Sequence, residues 1–121
     1  MAAKQFLQIV GVVLIIAGVL GFMIPGIGSF LTFHTHHNIL HLISGLALLY
    51  LRFKGTESVQ RLGCQVFGIV YGAITIWGFL GHQSFLYLTL HLNTAYNIIH
   101  LAVSVLGLCA GFGKRSVAAA A

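Results

Sequence analysis

QIVGVVLIIAGVLGF, residues 8–22, holds no charged residue in fifteen positions. Such a run suits a buried core helix, a secretory leader or a membrane span. A span needs about 17–25 apolar residues, and the surrounding stretch, 5–24, is long enough. The run does not stand alone. QIVGVV at 8–13 is matched by QVFGIV at 65–70, and GF at 21–22 by GF at 78–79. SFL at 29–31 recurs at 84–86, TFH at 32–34 as TLH at 89–91, and NILHL at 38–42 as NIIHL at 97–101. Lys4 before an apolar core is also how a signal peptide opens. The counterpart inside the chain predicts that this first segment is a helix kept in the fold.

Composition chooses the solvent. The chain is 59% hydrophobic and 6% charged, against roughly a quarter charged in soluble domains. So few charges cannot cover a water-soluble surface of this size, and an integral membrane protein is expected. Four apolar runs, at 5–24, 36–52, 62–81 and 94–112, predict an all-α bundle of four transmembrane helices. It is expected to be a single domain, 1–121. The repeat divides it into two parallel two-helix units, 5–52 and 62–112. Pro25, with Gly26 and Gly28, breaks the chain after the first helix.

The net charge of +5 resembles a nucleic-acid signal, but its placement speaks for topology. Lys4 precedes the first run, Arg52, Lys54 and Arg61 lie in the middle polar stretch, and Lys114 and Arg115 follow the last run. Basic residues collect on the cytoplasmic side. Both termini and the loop RFKGTESVQR are therefore expected there, in a multi-pass plasma-membrane protein that binds no nucleic acid. The connections 25–35 and 82–93 are expected outside, lying in the interface as short aromatic-rich segments. Cys64 and Cys109 fall near the basic flanks, on the reducing side, and read as small packing residues.

All seven histidines fall in or near the two outer connections. Asn38 and His41 are three residues apart, as are Asn97 and His100, a spacing that puts each pair near one helix face. Polar pairs at that depth turn toward the bundle, because lipid offers no hydrogen-bond partner. Three readings stay open. In the first, the pairs bond to neighbouring helices and only build the fold. In the second, His41 and His100 with Asn38 and Asn97 hold a haem or a chlorophyll-type pigment, although no outer arginine is present for haem propionates. In the third, a divalent metal is held by His34, His36, His37 and His91 with the paired histidines, imidazole being a good ligand for zinc, copper or nickel. The repeat separates these residues. His34 and His41 have counterparts in His91 and His100, whereas His36 and His37 align with Ala95 and Tyr96. Ligand chemistry is therefore expected from His36 and His37 joining the paired framework.

The motifs HTHHNILHLISG (34–45) and LHLNTAYNIIHL (90–101) resemble those of a family of small four-helix bacterial membrane proteins catalogued as a domain of unknown function. The resemblance runs from about 5 to 112. It implies the four-helix fold and a bacterial inner membrane, and it implies no activity. His36 and His37 depart from the simpler motif.

Catalysis is not expected. Glu57 is the sole acid and lies at the far side from every histidine, so no carboxylate orients a histidine for acyl transfer. No carboxylate pair serves hydrolysis, and GIG at 26–28 lacks the lysine and context of a phosphate loop. The expected role is a non-enzymatic structural or accessory subunit, packed with other membrane proteins or with itself. The alternative is a haem-, pigment- or metal-binding membrane protein.

Overall fold

The computed structural model describes residues 2–28, 31–81, 84–85, 88–89 and 93–114. Four helices carry the fold: α1 (Ala3–Met23), α2 (Thr35–Lys54), α3 (Glu57–Phe79) and α4 (Thr94–Phe112). Three of them, α1, α3 and α4, are long and apolar enough to cross a membrane. The second helix is not among these three. Its first two turns carry His36, His37, Asn38 and His41, and its last turn Arg52 and Lys54. Its 20 residues nevertheless give a rod of about 30 Å, the thickness of a hydrocarbon core.

α1 packs along α2 and α3 along α4, and the two hairpins meet each other more sparsely. Glycine permits the close approach. A Cβ at Gly11 would stand 3.3 Å from the carbonyl oxygen of Gly45, and one at Gly21 would fall on Asn38 Oδ1. In the second hairpin Ser104 Oγ donates to the Gly68 carbonyl at 2.7 Å, and a Cβ at Gly78 would fall on Asn97 Oδ1. The G-x-x-x-G spacings at 68–72 and 107–111 lie in the same α3–α4 interface, with Gly107 against the Cys64 carbonyl and Gly68 against Leu108. Lipid gives no hydrophobic drive for helix association, so small residues and interhelical hydrogen bonds carry it.

The polar middle stretch is mostly helical, where a ten-residue loop was expected. Only Gly55 and Thr56 connect α2 to α3. Thr56 caps α3, its Oγ1 accepting from Val59 N at 3.4 Å, and Glu57 sits favourably at the positive helix end. Gln60 folds back under this turn. Its Nε2 donates to the carbonyls of Leu51, Arg52 and Gly55 at 3.2, 3.0 and 3.3 Å. The Leu51 carbonyl also accepts from Gly55 N at 2.9 Å, whereas those of Arg52 and Gly55 lie beyond the last helical donor. Arg61 and Gln65 serve α4 in the same way, through Gly113 and Gly111.

The connections 25–35 and 82–93 carry short strands. Each contains a two-residue antiparallel strand pair: β1 (Gly26–Ile27) with β2 (Leu31–Thr32), and β3 (Ser84–Phe85) with β4 (Leu88–Thr89). Gly28, at φ 59°, makes the first turn. The pairing satisfies backbone groups that apolar surroundings would leave bare.

The half of the bundle nearer the α2–α3 turn has an apolar core. Phe6, Leu7 and Cys64 are wholly enclosed. Phe6 and Phe67 meet edge to face at 5.5 Å, and Phe67 stacks on Tyr71 at 4.1 Å. Cys64 is the small packing residue expected, whereas Cys109 is exposed on the helix surface.

Candidate functional site

Above Tyr71 the core changes character. His37, His41 and His100 are all buried there, each less than a tenth exposed. Two come from the start of α2 and one from the start of α4. His37 and His41 are i and i+4, so their rings stand on one face of α2, with centroids 4.3 Å apart. His100 reaches them from α4, its ring 5.5 Å from that of His37. One ligating nitrogen from each of the three lies within 4.8 Å of the others. The Nδ1 atoms of His41 and His100 are enclosed and meet no hydrogen-bond partner among the described residues.

Two tyrosines wall the cluster. Tyr96 packs on His37 at 4.7 Å and on His100 at 5.9 Å, and its hydroxyl donates to the Thr32 carbonyl of the first strand pair. Tyr71 meets His100 edge-on at 5.3 Å. On the other side, between α1 and α4, lies a cavity of about 460 Å³. Leu14, Ala17, Ile27, Phe33 and Val103 form part of its lining, and His41 and His100 stand in its wall. This is the size and make-up of a small-molecule pocket, apolar with a few convergent polar groups.

The remaining sequence candidates are placed differently. Asn38 and Asn97 are buried against the glycines of their own hairpins, Gly21 and Gly78. Three residues turn a helix by about 300°. An asparagine and its histidine therefore diverge by about 60°, one toward the hairpin partner and the other toward the bundle centre. His36 is exposed. His34 is the residue before α2, with Nε2 3.2 Å from Thr32 Oγ1. His91 lies outside the described residues, as does His82. Of the two histidines without repeat counterparts, only His37 enters the cluster. It packs on Tyr96, the residue that takes its place in the other half.

Tyr71 and Tyr96 were not among the sequence candidates. Tyr96 had a signal available, since it aligns with a histidine across the repeat. Tyr71 had none, lying in an apolar run whose rotation the sequence does not state.

The arrangement offers neutral nitrogen donors in a closed, apolar setting. It brings together no carboxylate or thiol among the described residues, and three converging imidazoles are suited to holding a ligand. The family described as domain of unknown function (DUF4383) matches residues 4–113. No curated protein and no solved structure matches the chain.

Proposed function

The chain belongs to this family of unknown function, and from that premise we propose a non-enzymatic integral membrane protein that carries a ligand on buried imidazoles at the outer end of its bundle. One observation carries the reading. Three buried histidines converge within 4.8 Å, and two of them hold an enclosed nitrogen with no partner among the described residues. Polar groups left bare inside a bilayer cost several kcal/mol each. Intramembrane ionisable residues are by default functional. The test is the visible spectrum and elemental content of protein purified from its own membrane. A chromophore or a metal near one per chain, lost in His41→Ala and His100→Ala, is the expected result. A flat spectrum with no stoichiometric metal overturns the reading.

The proposal includes four spans with both termini cytoplasmic. Its support is the side on which the charges fall: Lys4, Arg52, Lys54, Arg61 and Lys114 cluster at one end and the histidine layer lies at the other. It also includes descent from two parallel repeats, about a pseudo-axis along the membrane normal. Matching contacts support this: Gly11 with Gly45 and Gly68 with Ser104, then Gly21 with Asn38 and Gly78 with Asn97. A bacterial plasma membrane rests on the motif resemblance alone.

A second reading, an accessory subunit, is favoured by the α2–α3 seam. An open groove of about 410 Å³ runs there past Ser44, Ala47 and Gly63, small residues of the kind that admit a neighbouring transmembrane helix. Crosslinking from Ala47→Cys in native membranes tests it. A discrete adduct supports the subunit reading, and a lone monomer at every crosslinker length opposes it.

A further inference from the structure

We infer that the ligand is a bare monovalent transition-metal ion, copper(I), held by the three imidazoles of His37, His41 and His100. The inference rests on the ligand-carrying reading above and narrows it.

The ring packing decides between a macrocycle and an ion. A haem or a pigment needs its flat ring inserted between imidazoles or stacked over one. Here the imidazoles already touch one another, at 4.3 and 5.5 Å between centroids. Tyr71 packs on His100 and Tyr96 on His37 at 5.3 and 4.7 Å, and the open side is the cavity between α1 and α4, which His37 does not line. A single ion fits without displacing these rings. Metal–nitrogen bonds of about 2 Å place three ligands roughly 3.3–3.5 Å apart. The nitrogens stand within 4.8 Å of one another, so small side-chain rotations close the site.

Charge decides the ion. All three donors are neutral. Glu57, the sole acid of the chain, begins α3 fourteen residues before Tyr71, about 21 Å along the helix. Cys64 lies seven residues from Tyr71, about 10 Å away on the same measure. An ion on the imidazoles therefore keeps its whole charge inside an apolar bundle. The Born cost of desolvation grows with the square of the charge, so a divalent ion pays about four times the monovalent penalty. Alkali cations seek oxygen donors, whereas copper accepts imidazole. Copper(I) combines single charge with a preference for few nitrogen ligands.

The experiment uses the full chain purified in detergent, without oxygen. Copper(I) is titrated against a chromophoric copper(I) chelator, and zinc(II) against a zinc dye. The predicted result is one copper(I) per chain, bound at least 100-fold tighter than zinc(II). His41→Gln and His100→Gln, which keep a polar side chain of similar size, are predicted to weaken copper(I) at least tenfold. Exposed His36→Ala is predicted to leave it unchanged. Zinc(II) bound at least as tightly as copper(I) through the same histidines overturns the copper assignment and leaves the ligand reading standing. Neither metal bound, with a chromophore recovered from native membranes, also overturns this inference alone. Neither metal bound and no native ligand overturns both. The copper-to-zinc ratio is read on the unaltered protein, so the outcome survives a variant that fails to fold.

Discussion

Replacing Gln60 with leucine removes one polar side chain from the α2–α3 turn and tests how the two hairpins are joined. Gln60 is 3% exposed. Its Nε2 carries two N–H groups and faces three carbonyls, at 3.0–3.3 Å, so two hydrogen bonds are well made at a time. Each contributes about 0.5–1.5 kcal/mol net, which gives about 1–3 kcal/mol for the amide. Leucine keeps most of the volume, so cavity formation adds little. The expected loss is a shift of roughly 5- to 150-fold in the folding equilibrium. Unfolding in mixed micelles of rising SDS fraction, followed by helical dichroism and the fluorescence of the single tryptophan, reads it. Ser58→Leu adds the same apolar group two residues earlier at an exposed site and is expected to stay within about 0.5 kcal/mol of the unaltered protein. If Gln60→Leu unfolds with the unaltered protein, or Ser58→Leu costs as much, the amide does not hold this turn.

The other predictions concern packing, topology and the site. Gly21→Ala and Gly78→Ala drive a methyl onto Asn38 and Asn97 and are expected to lower stability by about 1–3 kcal/mol each. Gly72→Ala meets only the rotatable Ser104 hydroxyl, at 2.9 Å, and is expected to cost less in the same SDS titration. Ser104→Ala removes the hydrogen bond to Gly68 and is expected to cost about 0.6 kcal/mol, the usual figure inside a bilayer. In a background without Cys64 and Cys109, His36→Cys is expected to react with an impermeant maleimide from outside intact cells, and Lys114→Cys only after lysis; the reverse pattern inverts the topology. Copper(I) at 100 times its dissociation constant is expected to add about 2.7 kcal/mol to stability. A chelator reverses the gain, and His100→Gln shows much less of it.

α1, α3 and α4 were legible because apolar length alone names a candidate span, and NILHL and NIIHL marked where the polar layer begins. The start of α3 was hidden by the composition of RFKGTESVQR. Charged and polar residues there looked like a loop, although Thr56 and Glu57 form a usable N-cap and first turn. The strand pairs were hidden for the opposite reason. PGIGSFLTF is too apolar and too short to show an alternation of period two. Within the site, spacing grouped each asparagine with its histidine, and the 60° between them sent the two residues to different neighbours. His37 joined the cluster because it precedes His41 on α2 by about one turn, whereas His36 falls about 100° from His37 and faces out. Pairing between helices, which brought His100 and Tyr71 to the same layer, is a property of rotation and hairpin docking that no local pattern states.

X-ray absorption at the copper edge, on protein loaded with one copper(I) per chain, tests the central claim most directly. The account predicts three nitrogen scatterers near 2 Å with the outer-shell pattern of imidazole rings, reduced to two in His100→Gln. Sulfur scatterers, or a spectrum unchanged by that substitution, would contradict it.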